Sequence, residues 1–248
     1  MRRVAVHALG ATVAVSCARS GAVNPPPEGA RPTNDFVAES ANTPSSEHPS
    51  TSSTLSDPAF RATIAPIDEA TSIRMRASWR PGCPVPLARL RYVTVRHWGF
   101  DGAAHDGEIV VHESHAAAVV DVFAQLFADR FPIERTQLVD DFAADDAASM
   151  RMNNTSAFNC REVSGRPGVM STHSWGSAID INPRVNPWVK GAQVDPPEGA
   201  GFVDRSRPIV GGVFRDGVVV RAFRGIGWGW GGDWSDSVDW QHFSATGD

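Results

Sequence analysis

Several things are scarce in this chain, and each scarcity removes a class of protein. No apolar run reaches the roughly 18 residues that a membrane-spanning helix requires. Basic residues are outnumbered, and the formal net charge of −5 gives no electrostatic support for nucleic-acid binding. No internal repeat is visible, which argues against a solenoid. Strand and helix patterns do not alternate regularly, so a parallel βαβ sheet is disfavoured and α+β is the better class. No Gly-x-Ser-x-Gly elbow surrounds Ser171, so a serine-hydrolase reading has no footing. Cysteine is rare: the chain has Cys17, Cys83 and Cys160 only.

Those three cysteines carry information about compartment. Residues 1–17 have a basic start, Met1-Arg-Arg, then a short apolar stretch, the pattern of a secretory signal. The stretch ends on Ala14-Val15-Ser16-Cys17, which resembles a bacterial lipobox. Cleavage before Cys17 and lipidation of its thiol would leave a membrane-anchored lipoprotein. Ordinary secretion to the cell wall, with cleavage after a nearby small residue, is the alternative. Removing or lipidating Cys17 leaves an even pair, and an oxidising compartment lets Cys83 and Cys160 bridge. Two unpaired buried thiols are the other reading. Residues 18–58 are rich in Pro, Ser, Thr, Asn, Gly and Glu. That composition predicts a disordered tether, with a mean span of about 35 Å as a flexible coil.

The remainder, residues 59–248, fits one folded domain, and a hydrophobic content of 42% suffices for one ordinary core. Leu90-Arg-Tyr-Val-Thr-Val95 alternates as a strand, with Glu108-Ile-Val-Val-His112 as its hairpin partner. Ser114 is placed to cap a helix over 115–130, where Ala116, Val120, Phe123 and Phe127 share a face and Pro132 lies past the end. A second short helix is expected over 146–152, and 218–223 leans helical. Residues 178–182 read as a short strand with Asp180 at its centre, and 239–243 as a final strand. The expected architecture is a single domain with a small antiparallel sheet and flanking helices.

Within that domain, Ser171-Thr-His-Ser-Trp-Gly-Ser-Ala-Ile-Asp180 places His173 seven positions before Asp180. A second element, Asp239-Trp-Gln-His242, lies near the C-terminus. Together they offer two imidazoles and a carboxylate as ligands, with a spare carboxylate nearby. Zinc takes such donors readily, and three protein ligands leave a position for water, whose pKa the ion lowers toward about 7. A carboxylate must still take the water's proton, and Asp239 is the natural candidate. Asp180 reads as a ligand because it shares a short motif with His173. Gly176 and Ala178 are small, as a tight turn into a strand beside a crowded site requires. Ser171 reads as a support for the first ligand rather than as a nucleophile.

Other features admit plainer accounts. His97, His105, His112 and His115 fit no trusted zinc spacing and read as surface or edge-strand residues. Asp140-Asp141 and Asp145-Asp146 read as helix caps rather than a calcium site. Trp228, Trp230 and Trp234 either wall a substrate groove or fill the core.

The stretch from Phe158-Asn-Cys-Arg-Glu-Val to the Ser-x-His-x-x-Gly-x-Ala-x-Asp pattern, with Gly227-Trp-Gly-Trp-Gly-Gly-Asp-Trp234 and Asp239-Trp-Gln-His-Phe243, resembles the zinc D-Ala-D-Ala carboxypeptidase and L-alanyl-D-glutamate endopeptidase family. The resemblance spans residues from about 70 to 246 and implies the fold shared with hedgehog N-terminal domains. It implies zinc on His173, Asp180 and His242, Asp239 as general base, and Arg161 steadying an oxyanion or a substrate carboxylate. It implies peptidoglycan stem peptides as substrates, with any membrane association through a lipid anchor alone. The dipeptidase branch has Glu where this chain has Asp239; Asp resembles the endopeptidase branch. Trp240-Gln241 departs from the Tyr-Met or Pro usual there. A non-catalytic, zinc-stabilised wall-binding module is the rival reading. The complete set of ligands, base and Arg161 argues against it.

Overall fold

The structure is a computed structural model, and it describes residues 58–248. The expected signal segment, the lipidation at Cys17 and nearly all of the expected tether lie outside the described residues.

The first layer is a three-stranded antiparallel sheet. It comprises β1 (Ala62–Pro66), β2 (Leu90–Trp98) and β3 (Ala104–His112), in that spatial order, with helix α1 (Glu69–Arg74) between β1 and β2 in sequence. The β2–β3 pairing sets Val93 opposite Ile109 and Tyr92 opposite Val110. Because side chains alternate across a strand, Val93, Val95, Ile109 and Val111 face the main core, while Leu90 and Val110 face a second cluster with Met75, Phe158 and Cys160. Helix α2 (Ala116–Ala128) closes the main side with Val119, Val122, Phe123 and Leu126, all buried. Its start departs from expectation. His115 occupies the capping position without a side-chain cap, because the Ser114 hydroxyl donates to His112 Nδ1 at 2.7 Å.

A parallel pair, β4 (Arg135–Thr136) and β5 (Asn154–Thr155), flanks helix α3 (Asp146–Arg151), whose cap is Asp145. Asp140 does not cap its own turn. Its carboxylate accepts from the backbone N–H of Ala77 and Ser78, pinning the chain that follows α1.

The C-terminal part contributes β6 (Ala178–Asp180), the hairpin β7 (Trp188–Lys190) and β8 (Gln193–Asp195), helix α4 (Val218–Gly225), and the short strands β9 (Gly229–Trp230), β10 (Val238–Asp239) and β11 (His242–Ser244). One sheet has the order β6-β11-β9 and another β10-β7-β8. The expected single strand over 239–243 is therefore two. Asp239 pairs with Trp188, whereas His242 pairs with Asp180, so neighbouring residues are drawn into different sheets. The expected strand over 178–182 stops at Asp180, its end rather than its centre, because Asn182 turns to a φ of 46°. The Asn182 side chain compensates by accepting from Glu134 N–H and donating to Pro132 O and Gly211 O.

Strands β6 and β11 and helix α4 share the main core with α2. Phe223 stacks on Phe243 at 4.2 Å between centroids, with Trp228 and Trp230 against the same rings. A buried phenylalanine of this kind contributes about 1.5–3 kcal/mol. Fold class is thus mixed, with several small antiparallel sheets rather than one. Cys83 and Cys160 form a disulfide with 6.0 Å between their Cα atoms, closing a separation of 77 residues.

Candidate metal centre

Three side chains separated by up to 69 positions meet because two strands and a turn converge. Asp180 and His242 are directly opposed across the β6–β11 pair, and opposed residues of an antiparallel pair have Cβ atoms about 4.5–5.5 Å apart. His173 arrives on a 3-10 turn, Thr172–Trp175, that leads into β6. Ser171 caps that turn by accepting from His173 N–H at 3.3 Å. It thus supports the backbone of the ligand residue and does not touch the imidazole. Gly176 ends the turn at a φ of +64°, with the space of a Cβ already taken by His112 N at 2.6 Å. Glycine is required there on both counts.

The donor atoms converge. His173 Nε2 lies 3.1 Å from Asp180 Oδ2, His242 Nδ1 lies 3.0 Å from Asp180 Oδ1, and the two nitrogens are 3.4 Å apart. An ion about 2.0–2.1 Å from each of three tetrahedral donors would hold them about 3.3–3.4 Å apart. The two nitrogens stand at that spacing, each facing a different oxygen of Asp180, and this trio could hold a metal ion. The tautomers agree. His173 Nδ1 is 2.5 Å from Ala157 O, and since the carbonyl can only accept, Nδ1 carries a proton and Nε2, which faces Asp180, is the nitrogen that would hold an ion. His242 Nε2 lies 3.2 Å from Asp248 O, so Nδ1, which faces Asp180, is the nitrogen that would hold the ion by the same reasoning. Outer hydrogen bonds of this kind orient metal-binding imidazoles.

All three side chains are buried. Burial works against charge on Asp180, yet the charges and hydrogen bonds of His173 and His242 hold it well below the usual carboxylate range. Burial also opposes charge on His242, but the hydrogen bond and charge of Asp180 outweigh it and raise His242 to about 9.

Asp239 stands beside this trio with its Oδ1 buried and without a hydrogen-bond partner. Burial pushes Asp239 up to about 7; Asp180 adds to the rise, while His242 and hydrogen bonds from Gln241 oppose it. An orphaned buried carboxylate oxygen is costly in a folded protein, and a cation or a water on it would relieve that cost. Gly231 makes room for this arrangement. A Cβ there would meet Asp239 Cβ and Asp239 O at 2.7 Å, and His242 Cβ at 3.3 Å.

Arg161 is tied to the His173 turn through its backbone: its N–H donates to Ser174 Oγ at 3.0 Å, and Ser174 Oγ donates to Arg161 O at 2.8 Å. Its guanidinium reaches Asp146 Oδ2 at 2.6 Å, and its Nε is buried without a partner. Asp146 therefore competes for the group that a substrate carboxylate would use. The tryptophans divide. Trp228 and Trp230 are core residues, the second of the two readings of the sequence. Trp234 alone flanks the centre, 5.5 Å from the His242 ring, with its indole N–H held by Gly247 O. His97 is buried at 4% exposure, which corrects its surface reading. No second metal cluster occurs among the described residues.

Ala157 O, Thr172 and Gln241 were not singled out in the sequence. A backbone carbonyl has no residue signature, and Gln241 stands out in the sequence only as a departure from the family pattern.

A search of curated proteins and a search of solved structures returned no match. Residues 164–245 do match a family model, that of D-alanyl-D-alanine carboxypeptidase. The matched span includes His173, Asp180, Asp239 and His242, and it leaves out Arg161 and both bridged cysteines. The segment that builds the buried trio is thus similar to the D-alanyl-D-alanine carboxypeptidase family model, the family that the sequence motifs resemble.

Proposed function

We propose that this chain is an exported zinc metallopeptidase that hydrolyses the stem peptides of peptidoglycan, of the L-alanyl-D-glutamate endopeptidase or D,D-carboxypeptidase type, on a hedgehog-like plan. The observation that carries the reading is the convergence of His173 Nε2, Asp180 and His242 Nδ1 beside a carboxylate oxygen with no partner. His173, Asp180 and His242 would hold the ion. When bound, zinc supplies a Lewis acid that polarises a scissile carbonyl and acidifies water.

The chain's own residues then have separable tasks. Ala157 O and Asp248 O keep the two imidazoles in the tautomers that present lone pairs. Asp239 Oδ1 takes the proton of the attacking water and passes it to the leaving amine. Its buried setting holds its basicity above that of a solvated aspartate. Arg161, on exchanging Asp146 for substrate, steadies the developing negative charge or a substrate carboxylate. Asp in place of Glu at position 239 favours the endopeptidase type. Export, with Cys17 lipidated or removed, suits a wall substrate and a Cys83–Cys160 bridge.

Purified peptidoglycan incubated with the metal-loaded chain should release new amine and carboxyl termini, and a chelator should stop the release. An unchanged wall with metal bound would instead leave a zinc-stabilised binding module.

A further inference from the structure

A second recessed site adjoins the turn that carries His173. It is a cleft of about 400 Å³ lined by Arg89, His112, Ser114, His115, Trp175 and Ser177, and by the apolar segment 84–86. Trp175 ends the Thr172–Trp175 turn and is 48% exposed. It is the one aromatic among the exposed large hydrophobic side chains of the described residues. Nothing in the metal-centre chemistry uses it.

The polar groups around this indole are neutral or neutralised. Arg89 is paired with Glu113 at 2.5 Å. His112 Nδ1 receives the Ser114 hydroxyl at 2.7 Å and the Ser114 backbone N–H at 3.2 Å. Both contacts need a lone pair on Nδ1, so the proton sits on Nε2 and offers a donor. Burial lowers the basicity of His112 and of His115, with Arg89 adding to the first and His112 to the second. Ser177 Oγ donates to Thr172 O at 3.1 Å and keeps its lone pairs. The cleft thus offers a flat apolar face, hydroxyls and a neutral imidazole donor, with no unpaired charge. A charged ligand has no unpaired counter-ion here. An uncharged, polyhydroxylated ring matches: its C–H face covers an indole while its hydroxyls meet the polar rim.

We propose that the Trp175 cleft binds a sugar ring of the peptidoglycan glycan strand, so that the enzyme prefers stem peptides still attached to glycan. The inference rests on the peptidoglycan reading above. The cleft and the metal centre share one turn, since Thr172, whose carbonyl holds Ser177, also places its hydroxyl 3.5 Å from His242 Nε2. A glycan held there would bring the sugar-proximal end of the stem peptide toward the ligands.

The test has two arms. In the first, chitotetraose is titrated into the metal-stripped full chain and followed by protein NMR. Saturable binding is expected, about tenfold weaker in Trp175→Ala and largely retained in Trp175→Tyr. Because this arm needs no turnover, it stands even if the peptidase reading fails. In the second, the metal-loaded chain hydrolyses glycan-linked muropeptides and the same stem peptide without sugar. Trp175→Ala should raise KM about tenfold on the first substrate, leave kcat unchanged, and leave the second substrate unaffected. No saturable binding of chitotetraose, equal losses on both substrates, or an unaltered KM on the glycan-linked one would overturn the proposal. Equal losses would mark the cleft as a peptide subsite.

Discussion

Replacing Asp239 by Asn should impair chemistry and stabilise the metal-free fold at the same time. The substitution keeps shape and removes the proposed base. Turnover should fall by about 10² to 10⁴, the usual worth of general acid–base catalysis, while zinc remains bound. The stability effect has the opposite sign. Asp239 is raised from 3.8 to about 7, so the folded state holds its proton more tightly than the unfolded chain. Well below pH 4 the group is neutral in both states and contributes nothing. Between about pH 4 and 7 the unfolded chain releases this proton while the folded state retains it, so stability falls as pH rises and levels off above pH 7 at a cost of up to about 4 kcal/mol. At about 2–4 °C per kcal/mol for a domain of this size, the metal-free Asp239→Asn protein should melt several degrees higher than wild type at pH 8. At pH 4 the two should melt together. With metal bound the gain should shrink, because a nearby cation favours the carboxylate. Melting by calorimetry at both pH values, beside turnover on peptidoglycan, reads both effects. Full activity in Asp239→Asn would mean another group accepts the proton. Loss of zinc would make Asp239 a ligand. A melting gain equal at pH 4 and pH 8 would refute the linkage to burial.

Three further outcomes are expected. His242, raised to about 9, must lose its proton to bind metal, so zinc affinity should rise by up to about tenfold per pH unit between pH 7 and 9; an affinity flat across that range in a competition titration would contradict this. Gly231→Ala would drive a Cβ to within 2.7 Å of Asp239, and should destabilise the fold by about 1–3 kcal/mol and reduce activity, whereas a neutral result would mean the strands yield freely. Cys83 and Cys160 should resist alkylation until reduced, and replacing both by Ser should cost about 4–5 kcal/mol on loop-closure entropy across a separation of 77 residues, with a chemical-denaturation change under 1 kcal/mol counting against the bridge.

The candidate ligands were legible in the sequence because such chemistry is restricted to a few residue types at fixed spacings. The tautomer-setting partners were not, since Ala157 and Asp248 act through backbone oxygens that every residue has. Strands β2 and β3 were legible because Val93, Val95, Ile109 and Val111 alternate into one core, and α2 because its buried residues recur at helical spacing. Strand β1 has a mostly exposed pattern and exists through its pairing with β2. The β7–β8 hairpin has three residues in each strand and largely intermediate burial, too little for periodicity to register. The break between Asp239 and His242 has a tertiary cause, since the two residues pair with different sheets. Trp228, Trp230 and Trp234 look equivalent in sequence, and only packing separates two core rings from the one beside His242.

The central claim is that His173, Asp180 and His242 form one metal centre, and the metal content of the purified chain tests it most directly. Elemental analysis should find one zinc per chain, lost on replacing any of the three by Ala while Asp239→Asn retains it. Wild-type metal content in His173→Ala, Asp180→Ala or His242→Ala, with the fold intact by circular dichroism, would contradict the account.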